Sequence, residues 1–137
     1  MRITLDTNVL ISALITNAKS RSLLFELISQ KHDLILSKEI LAELAEISHD
    51  PKIRRYVSEN DVSTFLKNLA SVSRIIQITS KFHVVLEDPD DDIILRTARD
   101  GKAAYLVSGD RHLLKLERFR RIRIITVNEM LRILRRH

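Results

Sequence analysis

The chain has 137 residues, 45% hydrophobic and 30% charged, a balance that fits one compact soluble domain with a sizeable core and excludes a low-complexity chain. Its 23 Lys and Arg against 18 Asp and Glu leave a net charge of +5, which favours a polyanionic partner without requiring one. There is no cysteine, which excludes disulfides, thiol nucleophiles and cysteine-based zinc sites; no apolar run approaches the roughly 18 residues of a membrane span, and Met1 leads into a strand pattern instead of a leader, so a cytoplasmic protein off the membrane is expected.

In chain order, Arg2-Ile3-Thr4-Leu5-Asp6-Thr7-Asn8 begins as an alternating, β-branched run and stops on a carboxylate and two small polar residues. Val9, Leu10, Ala13 and Leu14 then recur at helical spacing. In an open parallel sheet ligands bind beyond the carboxyl ends of the strands, so Asp6 is expected to face the crevice. A second helix is predicted from about Ser20 to Lys31, with Leu23, Leu24, Leu27 and Ile28 on one face, and Leu34-Ile35-Leu36 suits a strand buried on both faces. Ser37 is the expected N-cap of a helix whose stripe is Ile40, Leu41, Leu44 and Ile47, with Glu43 at its border. Pro51 to about Val72 reads as one or two helices, capped by Ser58 or Asn60, with Val62, Phe65, Leu66 and Leu69 inward.

Ile75-Ile76-Gln77-Ile78 is the third expected strand, and Phe82-His83-Val84-Val85-Leu86 a loop or short extended piece. The acidic stretch Glu87-Asp88-Pro89-Asp90-Asp91-Asp92 leads into a helix through Arg99, which Asp100-Gly101 closes with glycine just past the end. Ala104-Tyr105-Leu106-Val107 is a fourth strand ending in Ser108-Gly109-Asp110. A short helix around His112 to Leu116 follows, then a fifth strand from Ile122 to Thr126, and Thr126-Val127-Asn128-Glu129 is a capping box opening the last helix. Strands alternating with helices imply parallel pairing through right-handed crossovers, hence a three-layer α/β/α sandwich around a parallel sheet of about five strands.

Acids thus stand beyond strand ends or at helix starts at Asp6, Asp92 and Asp110, with Glu43 on a helix. Helix capping is an ordinary use for Asp6 and Asp110, and a solvated helix border for Glu43. The acidic run is harder to explain by capping alone: Asp88 with Pro89 satisfies the helix start, whereas Asp90, Asp91 and Asp92 add mutual repulsion. A Mg²⁺ ion would supply the missing attraction, because it takes a few carboxylates plus waters and completes its shell from phosphate oxygens. Lys115, Arg118, Arg120, Arg121 and Arg123 form a basic edge that could hold a phosphate backbone or stand solvated. The histidines are scattered, with no metal-ligating spacing, and read mostly as surface residues.

In order and spacing these features resemble the PIN-domain ribonucleases, and within them the toxin-like group related to VapC. The pieces are Leu5-Asp6-Thr7-Asn8-Val9-Leu10, helical Glu43, Asp88-Pro89-Asp90-Asp91-Asp92 before an apolar helix, and Val107-Ser108-Gly109-Asp110 before Leu113-Leu114. The resemblance spans essentially the whole chain, so residues 1–137 are expected to form a single PIN-like nuclease domain. It implies that Asp6, Glu43, Asp92 and Asp110 form an acidic quartet holding one or two Mg²⁺ or Mn²⁺ ions, with Asn8 and Ser108 orienting water or substrate. Asp90 or Asp91 could stand in for Asp92, and His112 occupies a place where relatives often carry another acid. The implied function is metal-dependent endoribonuclease activity on RNA, as the toxin of a pair held inactive by a small antitoxin; a homodimer is compatible. The alternatives are RNA processing or DNA cleavage without an antitoxin, and a Mg²⁺-binding receiver-like switch. The switch would need a lysine after the last strand and an acceptor aspartate after a middle one, which Ile124-Ile125-Thr126-Val127 and Ile76-Gln77-Ile78-Thr79 do not offer.

Overall fold

The computed structural model describes the chain except residues 16, 85–88 and 137 and the side chains of residues 89 and 90. The expected Asp88 cap therefore lies outside the described residues. Strand β1 (Arg2–Leu5) gives way at once to α1 (Thr7–Leu14), and α2 (Ala18–Ser29) follows with Asn17 as its side-chain cap. Strand β2 (Asp33–Ser37) leads into α3 (Lys38–Ile47), the short α4 (Pro51–Arg54) and the long α5 (Glu59–Val72). Of the two candidate caps for α5, Ser58 is the one used, in a reciprocal box with Asp61. The remaining elements are β3 (Ser73–Ile76), α6 (Pro89–Asp100), β4 (Tyr105–Val107), α7 (Arg111–Leu114), β5 (Arg118–Phe119), β6 (Ile122–Ile125) and α8 (Val127–Arg135). Thr126 and Glu129 form the expected capping box of α8.

One sheet runs in the order β3-β2-β1-β4-β6-β5. Its first five strands are parallel, as expected, and β5 adds a short antiparallel edge to β6 that the sequence reading took as part of a basic stretch. Both alternating faces of the central strands are covered: Ile3, Thr4, Leu5 and Leu34 through Ser37 are all buried, as helices on both sides of a parallel sheet require. Leu10, Leu23, Leu27, Ile40, Leu44 and Leu95 interdigitate in the core that joins these layers. Of the apolar face expected on α2, Leu23 and Leu27 are enclosed, whereas Ile28 is 42% exposed.

Strand β3 begins two residues earlier than the apolar run predicts. Its register pairs Ser73 with Leu34 and Ile76 with Ser37, where β2 stops, so Gln77 and Ile78 have no neighbour to bond. A second difference concerns the end of α6. Gly101 is not its left-handed residue: that conformation falls on Lys102 at φ 57°, and the amides of Lys102 and Ala103 bond the carbonyls of Arg99 and Ala98 in a Schellman closure. Gly101 is instead required for space, since a Cβ there would meet Ile35 Cγ2 at 2.1 Å.

The topology decides where a site can form. From β1 the chain moves one way across the sheet to β2 and β3, then returns past β1 to β4 and β6. The direction therefore switches between β1 and β4, and a crevice opens beyond the carboxyl ends of strands at such a point. Asp6 follows β1 there, and Ser108 to Asp110 follow β4.

Candidate active site

Asp6 stands at the N-cap position of α1, yet its side chain makes no cap hydrogen bond. It accepts instead from the Ser108 hydroxyl at 2.6 Å, across the switch point. The same Ser108 oxygen accepts from the Asp110 amide at 2.9 Å, so one wholly buried hydroxyl fixes both the Asp6 carboxylate and the turn carrying Asp110. Backbone bonds weld the arrangement: the Asp6 amide donates to Val107, and the Ser108 amide to Ile125 on the next strand. Burial pushes the Asp6 carboxyl above its usual range; the Ser108 hydroxyl and the amides of Asn8 and Thr7 draw it back, and the negative charge of Asp110 adds to the rise.

Asp110 does cap its helix, accepting from the His112 amide at 2.7 Å. It is half-buried, and His112 and Asn8 are exposed. Asp92 lies in the first turn of α6, which packs against β1 and β4. It is 3% exposed, accepts from the Val84 amide at 2.8 Å and has His83 at 3.7 Å. His83 and Val84 were not singled out from sequence, because nothing in a loop's composition says which helix start it closes over. Asp91 is also buried. Glu43 is half-buried on α3, which packs against α1 and α6. Ser37, at the end of β2, accepts both from the Ile40 amide and from Thr97 on α6, tying that helix to the sheet.

The four acids expected to act together are thus placed unequally. Asp6 and Asp110 share Ser108 and feel each other's charge. Among the described residues no three Asp, Glu or His side chains approach closely enough to form a metal-binding group. The donor set at the switch point is a carboxylate pair; the hydroxyl of the next residue, Thr7, is buried and has no hydrogen-bond partner among the described residues. Such a pair fits a Mg²⁺-like ion, which binds through one or two carboxylates and keeps waters for the rest of its shell.

The basic edge is divided by its packing. Arg120 stacks its guanidinium 5.2 Å from the Phe82 ring and 5.1 Å from that of Phe119, and Arg123 lies over Tyr105. No helix of the described residues is long and apolar enough to cross a membrane.

The model of the PIN domain matches residues 2–112. A relative, uncharacterized protein MJ1680 of Methanocaldococcus jannaschii, is 34% identical over 118 residues, covering 85% of this chain and 75% of its own. A chain in the crystal structure of VapBC2 from Rickettsia felis bound to a DNA fragment from their promoter shares the fold, with a TM-score of 0.63 over 92% of this chain and 98% of that one at 19% identity. Both the matched span and the acids at the switch point lead to one assignment: the chain belongs to the PIN-domain family, a family of nucleases.

Proposed function

We propose that the protein is a Mg²⁺- or Mn²⁺-dependent endoribonuclease, the toxin of a toxin–antitoxin pair, in which Asp6, Glu43, Asp92 and Asp110 serve the ion and Asn8 and Ser108 orient water or substrate. The observation that carries this reading is the Asp6–Ser108–Asp110 arrangement. Two carboxylates are held together at the switch point, and the more buried of them accepts a short hydrogen bond from across the sheet. Ser108 is fully buried with its hydroxyl committed to Asp6, so it positions and does not attack. A divalent ion held there by these carboxylates would supply acidity for an attacking water and charge for the scissile phosphate. Asp92 stands in the first turn of α6, and a helix that joins the parallel strands β3 and β4 starts beyond the end of the sheet where Asp6 lies.

A protein partner, a small antitoxin or a second copy of the chain, is supported by the likeness to VapBC2 and by an exposed apolar face. Phe25 is 71% exposed and Val72 44%, bordering a groove lined by Leu24, Ile28 and Phe65. The deciding experiment incubates the purified chain with RNA and with single-stranded DNA, in Mn²⁺ or in EDTA, beside Asp92→Asn. RNA cut only with the metal and only by the unmodified chain is the expected result. Cleavage that persists in excess chelator removes the metal mechanism, and cleavage of DNA alone removes the ribonuclease assignment.

A further inference from the structure

At the opposite end of the sheet from Asp6 lies a cavity of about 480 Å³ built from two segments distant in sequence. Arg99 and Lys102 come from the end of α6, and Arg120 and Arg121 from the turn between β5 and β6. Ala98 and Ala103, small enough to leave depth, form part of its floor. Among the described residues no carboxylate lines it and none of the four cations forms a salt bridge. The adjacent Asp100 turns its carboxylate away, to the amides of Thr79 and Ser80. Four like charges around one concavity repel; against this stand the attraction of Arg99 to Asp100 and the contacts of Arg120 with two rings.

Two further features show the cations to be placed rather than scattered. Arg120 is held over two aromatic rings, which orients its guanidinium at little further entropic cost. Lys102 and Arg120 both adopt the left-handed backbone, at φ 57° and 55°, a conformation that costs a side-chain-bearing residue about 1 kcal/mol relative to glycine. Two of the four described non-glycine residues with positive φ therefore line this one cavity.

We infer that this cavity is a second phosphate-binding site, which grips the backbone of a nucleic acid well beyond the scissile position. The inference rests on the nuclease reading for the identity of the chain that enters, and on the cavity alone for the phosphate. From Ala103 to Ser108 the chain runs along β4, so the cavity and the acidic crevice are separated by about 16 Å at 3.3 Å per residue. A dinucleotide seated in the crevice keeps its phosphates within one nucleotide step and falls short of the cavity, whereas a single strand of about twenty nucleotides can span both.

The test measures RNA binding in EDTA as a function of salt, for the unmodified chain, for R99Q/R121Q and for K52Q/K67Q, an equal loss of charge at exposed positions elsewhere. For the longer RNA, R99Q/R121Q should flatten the slope of log affinity against log salt by about 1.4, two contacts at about 0.7 each for a single strand, and K52Q/K67Q should change it little. All three proteins should bind the dinucleotide alike. An unchanged slope, or an equal flattening in K52Q/K67Q, overturns the site. Pyrophosphate is the probe for the other source of the same chemistry: if R99Q/R121Q loses pyrophosphate binding but keeps its RNA slope, the cavity serves a small phosphorylated ligand and the nucleic-acid assignment is overturned. Mn²⁺-dependent cleavage of the longer RNA reports on the acidic crevice separately, so its failure in the unmodified chain would sink the nuclease reading without altering the binding result.

Discussion

Asp110 has two jobs to reconcile, since one of its oxygens caps α7 while its charge opposes that of Asp6. Asparagine caps about as well as aspartate, so a residue that only caps would leave stability unchanged on Asp110→Asn. Relief of the repulsion predicts otherwise. Two charges about 4 Å apart at an effective dielectric near 20 repel by roughly 4 kcal/mol before relaxation and solvent reduce it, so the variant should gain on the order of 1 kcal/mol in EDTA. Urea unfolding of both proteins in chelator checks this; equal stability would assign Asp110 to the cap alone. This pairing was legible in the sequence only as two acids after two strands. That Ser108 joins them by donating to one and accepting from the other's amide depended on β1 and β4 being neighbours.

Helix α6 shows how an element is fitted at both ends, with Asp92 holding the Val84 amide at its start and Gly101 letting β2 approach at its finish. Gly101→Ala forces a methyl against Ile35 Cγ2, in a fully packed core strand, and should cost about 2 kcal/mol in a denaturant melt. A loss below a few tenths of that would show that the helix end can shift. Asp100 ties the same end to the preceding loop. Although burial acts to raise it, hydrogen bonds from Ser80 and Thr79 hold its carboxyl below the ordinary 3.8. Because the folded value is the lower one, this contribution to stability is fully present above about pH 3.8 and is lost as pH falls through the depressed folded value. Asp100→Asn should therefore be less stable than the unmodified chain at neutral pH, with the gap narrowing as the pH drops below 3.8. A gap independent of pH would mean that packing, not charge, carries the contact.

At the scale of the whole molecule, Asp6 and Asp110 stand at one end of the sheet and a cavity lined by Arg99, Lys102, Arg120 and Arg121 at the other, while the net charge of +5 describes neither. If the acidic end binds a divalent ion in the folded state alone, Mn²⁺ at about one hundred times its dissociation constant should raise the unfolding free energy by about 2.7 kcal/mol, and Asp6→Asn should abolish that rise. Thermal melts with Mn²⁺ and EDTA measure it, and an equal rise in Asp6→Asn would place the ion elsewhere. The alternation of strands and helices, the caps at Ser37, Ser58 and Thr126, and the position of Asp6 beyond the first strand were all readable from the sequence, because each depends on residues within a few positions of one another. The early end of β3, the antiparallel edge strand, the transfer of the left-handed turn from Gly101 to Lys102, and the meeting of Arg99 with Arg121 were not. The early end of β3 and the meeting of Arg99 with Arg121 are set by partners that only the order of strands brings close; the β5–β6 hairpin and the Lys102 turn are local, but they rest on left-handed Arg120 and Lys102, residue types that do not signal that conformation.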